Sequence, residues 1–169
     1  MTKQEIAELT TQIRRVLYTP NKPDTWAHCL QVGALAYELG SCYLTNPVQA
    51  QIAGYLHDVS AVYPNEQRLA VANHFGLPVL EAEQKLPMII HQRLSRYMAA
   101  HQFGIEDEQI LSAVECHTTL KANYSTVDLV VFVADTIQWD QAGEPPYLKG
   151  LLAALDQSLT HGAYYYIDY

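Results

Sequence analysis

His57 and Asp58 stand side by side near the middle of the chain, an imidazole next to a carboxylate, and His28, His91, His117 and Asp135 flank them at long intervals. Neutral imidazole and ionised carboxylate together suit iron, manganese, zinc or nickel, and a carboxylate can bridge two cations where one imidazole nitrogen cannot. Successive gaps of 29, 34, 26 and 18 residues (28 to 57, 57 to 91, 91 to 117, 117 to 135) are too long for a local metal motif. Ligands so spaced must come from different helices that converge, as in bundles whose facing side chains hold metal in the core. A single helical histidine is more often a packing or surface residue, and His74, His101 and His161 are left in that class. His74 and His101 fall near helix C-termini, where an imidazolium suits the local dipole.

The elements that must carry these residues read as helices. Ile6, Leu9, Ile13 and Leu17 make one stripe of a helix over 3–17, ended by Thr19, Pro20, Asn21 and Pro23. Asp24 is a cap for a long helix to about Tyr43 that carries His28 one turn inside its start. Thr45-Asn46-Pro47 opens a helix that ends near His57 and Asp58. A loop over 60–64, a short helix over 65–75 closed by Gly76, and a connection over 78–87 with at most one helical turn follow. One helix over 87–103 carries His91 and stops at Gly104, and Asp107 caps the next, which runs to about His117. Ser125 and Asp128 form a capping-box-like start for a helix over 126–139, in which valines and alanine surround Asp135. A last helix fits 146–160, His161-Gly162 offers a stop, and the tail from Ala163 to Tyr169 is ambiguous. Without sustained period-two alternation the expected fold is all-α, although Val127 to Val133 could also form a buried strand.

At 169 residues and 49% hydrophobic content, the chain has enough apolar side chain for a core within one domain, residues 1–169. A net charge of −8 argues against nucleic acid or an anionic membrane surface as the main partner, since both select basic patches. A phosphate ligand would then need local positive charge, which bound cations can supply. Cys29, Cys42 and Cys116 form no CxxC pair and are odd in number, which suits a reducing cytoplasm. The N-terminal stretch lacks a signal-peptide core and no apolar run approaches membrane-span length, so a cytoplasmic protein is expected.

The order His28, His57-Asp58, His91, His117, Asp135, embedded in Ala53-Gly54-Tyr55-Leu56-His57-Asp58, Glu115-Cys116-His117-Thr118-Thr119 and Val133-Ala134-Asp135, resembles the HD-domain metal-dependent phosphohydrolases. Within them it looks most like the YqeK branch, the symmetrical diadenosine tetraphosphate hydrolases. The resemblance runs from about Trp26 to Asp140 and implies a helical bundle with a two-metal centre between helices, iron first, with manganese, nickel or zinc as alternatives and mixed valence allowed. It implies that His28, His57, Asp58 and Asp135 surround one metal, that His91 and His117 surround the other, and that Asp58 bridges. His57 and Asp58 would then be the catalytic pair, and a metal-activated hydroxide would cleave the dinucleotide in line to two ADP.

Relatives of this type often carry a lysine where this chain has Ala61 and a glycine where it has Gln92. They follow the Ala-Asp step with a basic residue, then an acidic residue, a proline and an arginine, where this chain reads Thr136 to Gln141. Arg93, Arg96, Thr118 and Lys121 are the substrate-binding candidates, because the two arginines follow His91 and the other two follow His117. The missing cations keep open a nucleotidase or phosphodiesterase acting on a smaller nucleotide. A non-catalytic nucleotide sensor is a third reading, and a di-iron oxygenase, separable by oxygen uptake, a fourth. Cys29 and Cys116 read as small buried hydrophobes. Trp26, Tyr55, Tyr63 and Trp139 read as packing residues that could stack a base. The tail Tyr164 to Tyr169 would cover an apolar groove, join a homodimer contact or fray.

Overall fold

The computed structural model describes residues 1–169 apart from Pro20, Asp140 and Ala142. The roles read for Pro20 in ending the first helix and for Asp140 after Asp135 therefore lie outside the described residues. Helix α1 (Lys3–Tyr18) starts in a capping box in which Thr2 and Glu5 satisfy each other's backbone N–H, and it buries the stripe of Leu9, Ile13 and Leu17. Helix α2 (Pro23–Tyr43) takes proline as its first residue, so Asp24 lies inside the first turn and is not the cap that the sequence suggested. Proline's fixed φ suits that position and its missing N–H is one of the unsatisfied donors there, so one fewer group needs a cap.

Helix α3 (Pro47–Leu56) packs most extensively against α2, and the contact is made by glycines. A Cβ added at Gly54 would lie 2.7 Å from the Gly33 Cα and 2.8 Å from its nitrogen. The two backbones are thus as close as helices allow, which sets His28 of α2 across from His57 at the end of α3. Gly54→Ala is expected to destabilise the fold by about 2 kcal/mol, because overpacking forces rigid backbone apart. Differential scanning calorimetry should show a midpoint lowered by roughly 5 °C, and an unchanged midpoint would refute the tight crossing.

His57 and Asp58 leave α3 into a 3₁₀ turn, Val59–Val62, where the sequence suggested a loop. Ser60 binds this turn to the next part of the site: its hydroxyl donates to the His91 carbonyl at 2.8 Å and accepts from the Ser95 hydroxyl at 2.9 Å. A second 3₁₀ turn, Asn65–Gln67, leads into α4 (Arg68–His74), and α5 (Glu81–Lys85) follows. The helix expected over 87–103 is divided into a 3₁₀ turn, Pro87–Ile90, and α6 (His91–His101), so that His91 is the first α-helical residue. Gly104 takes φ +66°, as a helix stop of this kind requires.

Asp107 caps α7 (Glu108–Glu115) by accepting from the Gln109 N–H. Ser125 and Asp128 close the capping box of α8 (Thr126–Ile137), which settles the valine-rich stretch as helix. That helix is buried on nearly all sides and packs against α2, α3 and α7, so it is the axis of the core and delivers Asp135 from its last turn. At the C-terminus the reading is corrected: α9 (Leu148–Leu155) ends early, Ser158 caps α10 (Leu159–Asp168), and His161-Gly162 lies inside a helix. A Cβ at Gly162 would meet the Leu155 side chain of the facing α9, so glycine there allows close packing within the helix. The fold is all-α, with no strand among the described residues, and no helix is long and apolar enough to cross a membrane.

Candidate metal centre

Three histidines are oriented by the same local device. The Nδ1 of His57 donates to the Gly54 carbonyl at 2.7 Å, that of His91 to the Met88 carbonyl at 2.6 Å, and that of His117 to the Val114 carbonyl at 2.9 Å, each three residues back. A carbonyl only accepts, so Nδ1 carries a proton in each ring, and Nε2 presents a lone pair whenever the ring is neutral. A helix end supplies the free carbonyl in two of the cases and a 3₁₀ turn in the third, so the chain's own stops aim the rings.

All of these lone pairs point at one place. His91 Nε2 lies 2.9 Å from His117 Nε2, and His57 Nε2 lies 3.2 Å from His28 Nε2. In the first pair two acceptors face each other with no hydrogen to share. This is the arrangement a cation relieves, and it is the fit test that the donor set passes. Asp58 divides its oxygens: Oδ2 is 3.7 Å from His57 Nε2, while Oδ1 is 3.3 Å from His91 Nε2 and 3.7 Å from His117 Nε2. Asp135 Oδ1 lies 3.0 Å from His28 and 3.4 Å from His57. Three overlapping groups, His28-His57-Asp58, His57-His117-Asp135 and Asp58-His91-His117, could each hold a metal ion.

The electrostatics differ from ring to ring. Burial disfavours the charged form of each group, yet Asp135 and Asp58 outweigh it at His57 and hold that imidazole's pKa well up. For Asp58, the imidazoles of His57, His91 and His117 overcome burial and hold the carboxyl below its usual range. His117 goes the other way. Burial and the neighbouring His57 and His91 push it down to about 3, so it stays neutral and able to bind metal. His28 Nδ1 is buried and has no hydrogen-bond partner.

The six candidates His28, His57, Asp58, His91, His117 and Asp135 are thus brought together. The basic candidates are not. Arg93 is held by Glu83 at 2.8 Å and the Pro78 carbonyl, Arg96 by Glu108 and Glu115, and Lys121 by Asp128 at 3.2 Å. Each is paired with a carboxylate, and none lines the cavity of about 360 Å³ that opens at the centre. Thr118 does line it, with its hydroxyl 3.2 Å from His91 Nε2. Trp139 is the one of the four aromatic residues singled out that reaches the cavity. Burial pushes the Cys29 thiol up and the Cys116 thiol up to about 12, so both remain protonated packing residues.

Sequence reasoning missed Arg68, Tyr147 and Tyr166, which also line the cavity. Arg68 lies in the stretch expected to form a short helix over 65–75, and no local pattern marks it. Tyr166 belongs to the unusual tyrosine-rich tail, which was the signal available. Gln92, flagged only as a departure, holds the site from behind: its side-chain oxygen accepts from the Thr118 N–H, and its amide donates to the Thr119 hydroxyl at 3.0 Å.

Residues 25–140 match the family model described as the HD domain. A protein of Lactococcus lactis subsp. cremoris, named only as an uncharacterized protein in the pepC 5′ region, is 52% identical over 121 residues, 72% of this chain and 62% of that protein. The symmetrical bis(5′-nucleosyl)-tetraphosphatase of Bacillus subtilis is 26% identical over 117 residues, 69% of this chain and 62% of the relative. The match thus spans about three fifths of the length of both relatives. A crystal structure from Clostridium acetobutylicum, described as a predicted HD superfamily hydrolase involved in NAD metabolism, superposes with a TM-score of 0.80 at 26% identity over 90% of this chain and 79% of that one.

Proposed function

The chain belongs to the HD-domain family, and from that premise we propose that it is a metal-dependent phosphohydrolase that cleaves diadenosine tetraphosphate symmetrically to two ADP. The observation that carries the reading is the convergence of imidazole lone pairs on an Asp58 carboxylate whose two oxygens face different histidines. The name of the Bacillus subtilis relative supports the choice of substrate.

His28, His57, Asp58 and Asp135 would hold one metal, His91 and His117 the other, with Asp58 shared between them. When bound, two divalent cations, iron first, supply positive charge for phosphate oxygens and a water acidic enough to deprotonate near neutral pH. The two carboxylates bring only two negative charges to the set, so a dimetal centre keeps a net positive charge that attracts a polyphosphate. The backbone carbonyls behind His57, His91 and His117 fix tautomer and ring orientation before substrate arrives, which is how supporting hydrogen bonds make ligands effective. Thr118 places a hydroxyl beside His91 that can donate to a substrate oxygen. The rings of Trp139, Tyr147 and Tyr166 offer a wall for a nucleobase. In the net reaction, the oxygen of water bonds to one central phosphorus and the bond to the bridging oxygen breaks. That oxygen leaves on the second ADP.

A smaller nucleotide is the second reading, favoured by the fact that Arg93, Arg96 and Lys121 are all paired away from the cavity. Protein purified without oxygen and loaded with metal should be assayed with diadenosine tetraphosphate beside a mononucleotide panel. Two ADP per dinucleotide is the expected product. Inorganic phosphate released from a mononucleotide, with the dinucleotide left intact, would replace the proposal by the second reading.

A further inference from the structure

Arg68, the first residue of α4, is the only lysine or arginine among the described residues that line the cavity. Its Nε donates to the Tyr63 carbonyl and its Nη1 to the Met88 carbonyl, both at 3.2 Å. Those two bonds fix the plane of the guanidinium, but both acceptors are neutral. Arg93 and Arg96, by contrast, are neutralised by carboxylates. No carboxylate among the described residues forms an ion pair with Arg68, and its Nη2 has no hydrogen-bond partner there.

Removing a cation from water without an opposite charge is unfavourable, and here burial depresses the guanidinium's pKa, with Asp58 acting in the opposite sense. If metal engages Asp58, that compensation is spent on it, and Arg68 faces the cavity as an unmatched charge. If Arg68 served only to join two backbone carbonyls, an uncharged donor would do so without this electrostatic penalty. A guanidinium held in place with its Nη2 unused, beside a site that handles phosphate, suits an anionic oxygen acceptor such as a phosphate.

We propose that Arg68 binds the phosphate adjacent to the one attacked, and so makes the cavity selective for a substrate containing a phosphoanhydride over a phosphomonoester. This rests on the phosphohydrolase reading for the attacked phosphate, while the binding of a diphosphate can be measured without turnover. A nucleoside diphosphate fills both positions and a nucleoside monophosphate only one. Arg68 therefore contributes to binding the first and little to binding the second.

The test is equilibrium binding of ADP and of AMP to metal-loaded wild type, Arg68→Gln and Arg68→Lys, with metal content and thermal midpoint recorded for each and turnover measured in parallel. Arg68→Gln should weaken ADP binding about 10- to 100-fold, as loss of a charge-assisted pair does. It should leave AMP binding within about twofold, while Arg68→Lys recovers part of the ADP affinity. Metal content should not change. Equal weakening of ADP and AMP, or no weakening of ADP, would overturn the inference, as would a wild type that binds no ADP. The two readings fail separately. Turnover lost in Asp58→Ala but unaltered in Arg68→Gln, with ADP binding also unaltered, removes the role of Arg68 and keeps the hydrolase. ADP binding that depends on Arg68 in a protein that hydrolyses no nucleotide removes the hydrolase and keeps the site.

Discussion

Asp58→Ala is expected to lower turnover by about a thousandfold or more, equivalent to about 4 kcal/mol of transition-state stabilisation, while the helical circular dichroism spectrum stays as in wild type. The size follows from what the carboxylate does. Its Oδ2 faces His57 and its Oδ1 faces His91 and His117, so one substitution removes a donor from both halves of the set at once. The fold should tolerate the change, because the core is built elsewhere, on α8 and on the crossing of α2 and α3. Asp58→Asn keeps the shape and removes the charge. It should fail nearly as badly, since a neutral amide offers one acceptor oxygen and cannot offset the repulsion between two cations. His101→Ala, a change outside the set, should turn over normally. Metal content by elemental analysis and steady-state kinetics on the three variants check this, and an Asp58→Ala protein with near-normal turnover would sink the dimetal reading.

The sequence made the helices and the six convergent residues legible because both depend on local or motif-like signals. The capping box at Ser125 and the stops at Gly76 and Gly104 act within a few residues and survive in the folded chain. What could not be read was set by distant partners. Arg93 and Arg96 follow His91 in sequence, yet their direction is decided by Glu83 on α5 and by Glu108 and Glu115 on α7. Arg68 is held by the carbonyls of Tyr63, just after the Val59–Val62 turn, and of Met88, in the Pro87–Ile90 turn beyond α5, and periodicity carries no trace of that pairing. The end of the chain was misread for a related reason. His161-Gly162 resembles a helix stop, but Gly162 serves close packing on Leu155 and the helix continues through it. A glycine signals that a Cβ is absent; whether the space goes to a turn or to a neighbour is decided in three dimensions.

Metal loading should raise the thermal midpoint by roughly 10 °C near pH 7.5, as expected for a ligand present at about a thousand times its dissociation constant, with the gain shrinking toward pH 5.5. The sign comes from the protons. In the metal-free protein His117 has a folded pKa near 3 against 6.5 when unfolded, so below about pH 6.5 the unfolded chain binds the extra proton and stability falls as pH falls. His57 acts in the opposite direction. Its raised folded pKa lends stability that is fully present below 6.5 and lost as pH rises through the folded value. Asp58, held below the carboxylate range, contributes stability present above about 3.8 and lost as pH falls through its depressed value. The metal-free protein should thus be most stable near pH 6.5. Metal reverses the balance above that point, because binding requires His57 to give up the proton that its carboxylate neighbours hold. The two melting curves should therefore diverge with rising pH. Scanning calorimetry of stripped and reloaded protein from pH 5 to 8 measures this divergence directly. A gain that is constant across the range would show that the imidazoles are not the ligands, and no gain at pH 7.5 would show that the cluster holds no metal.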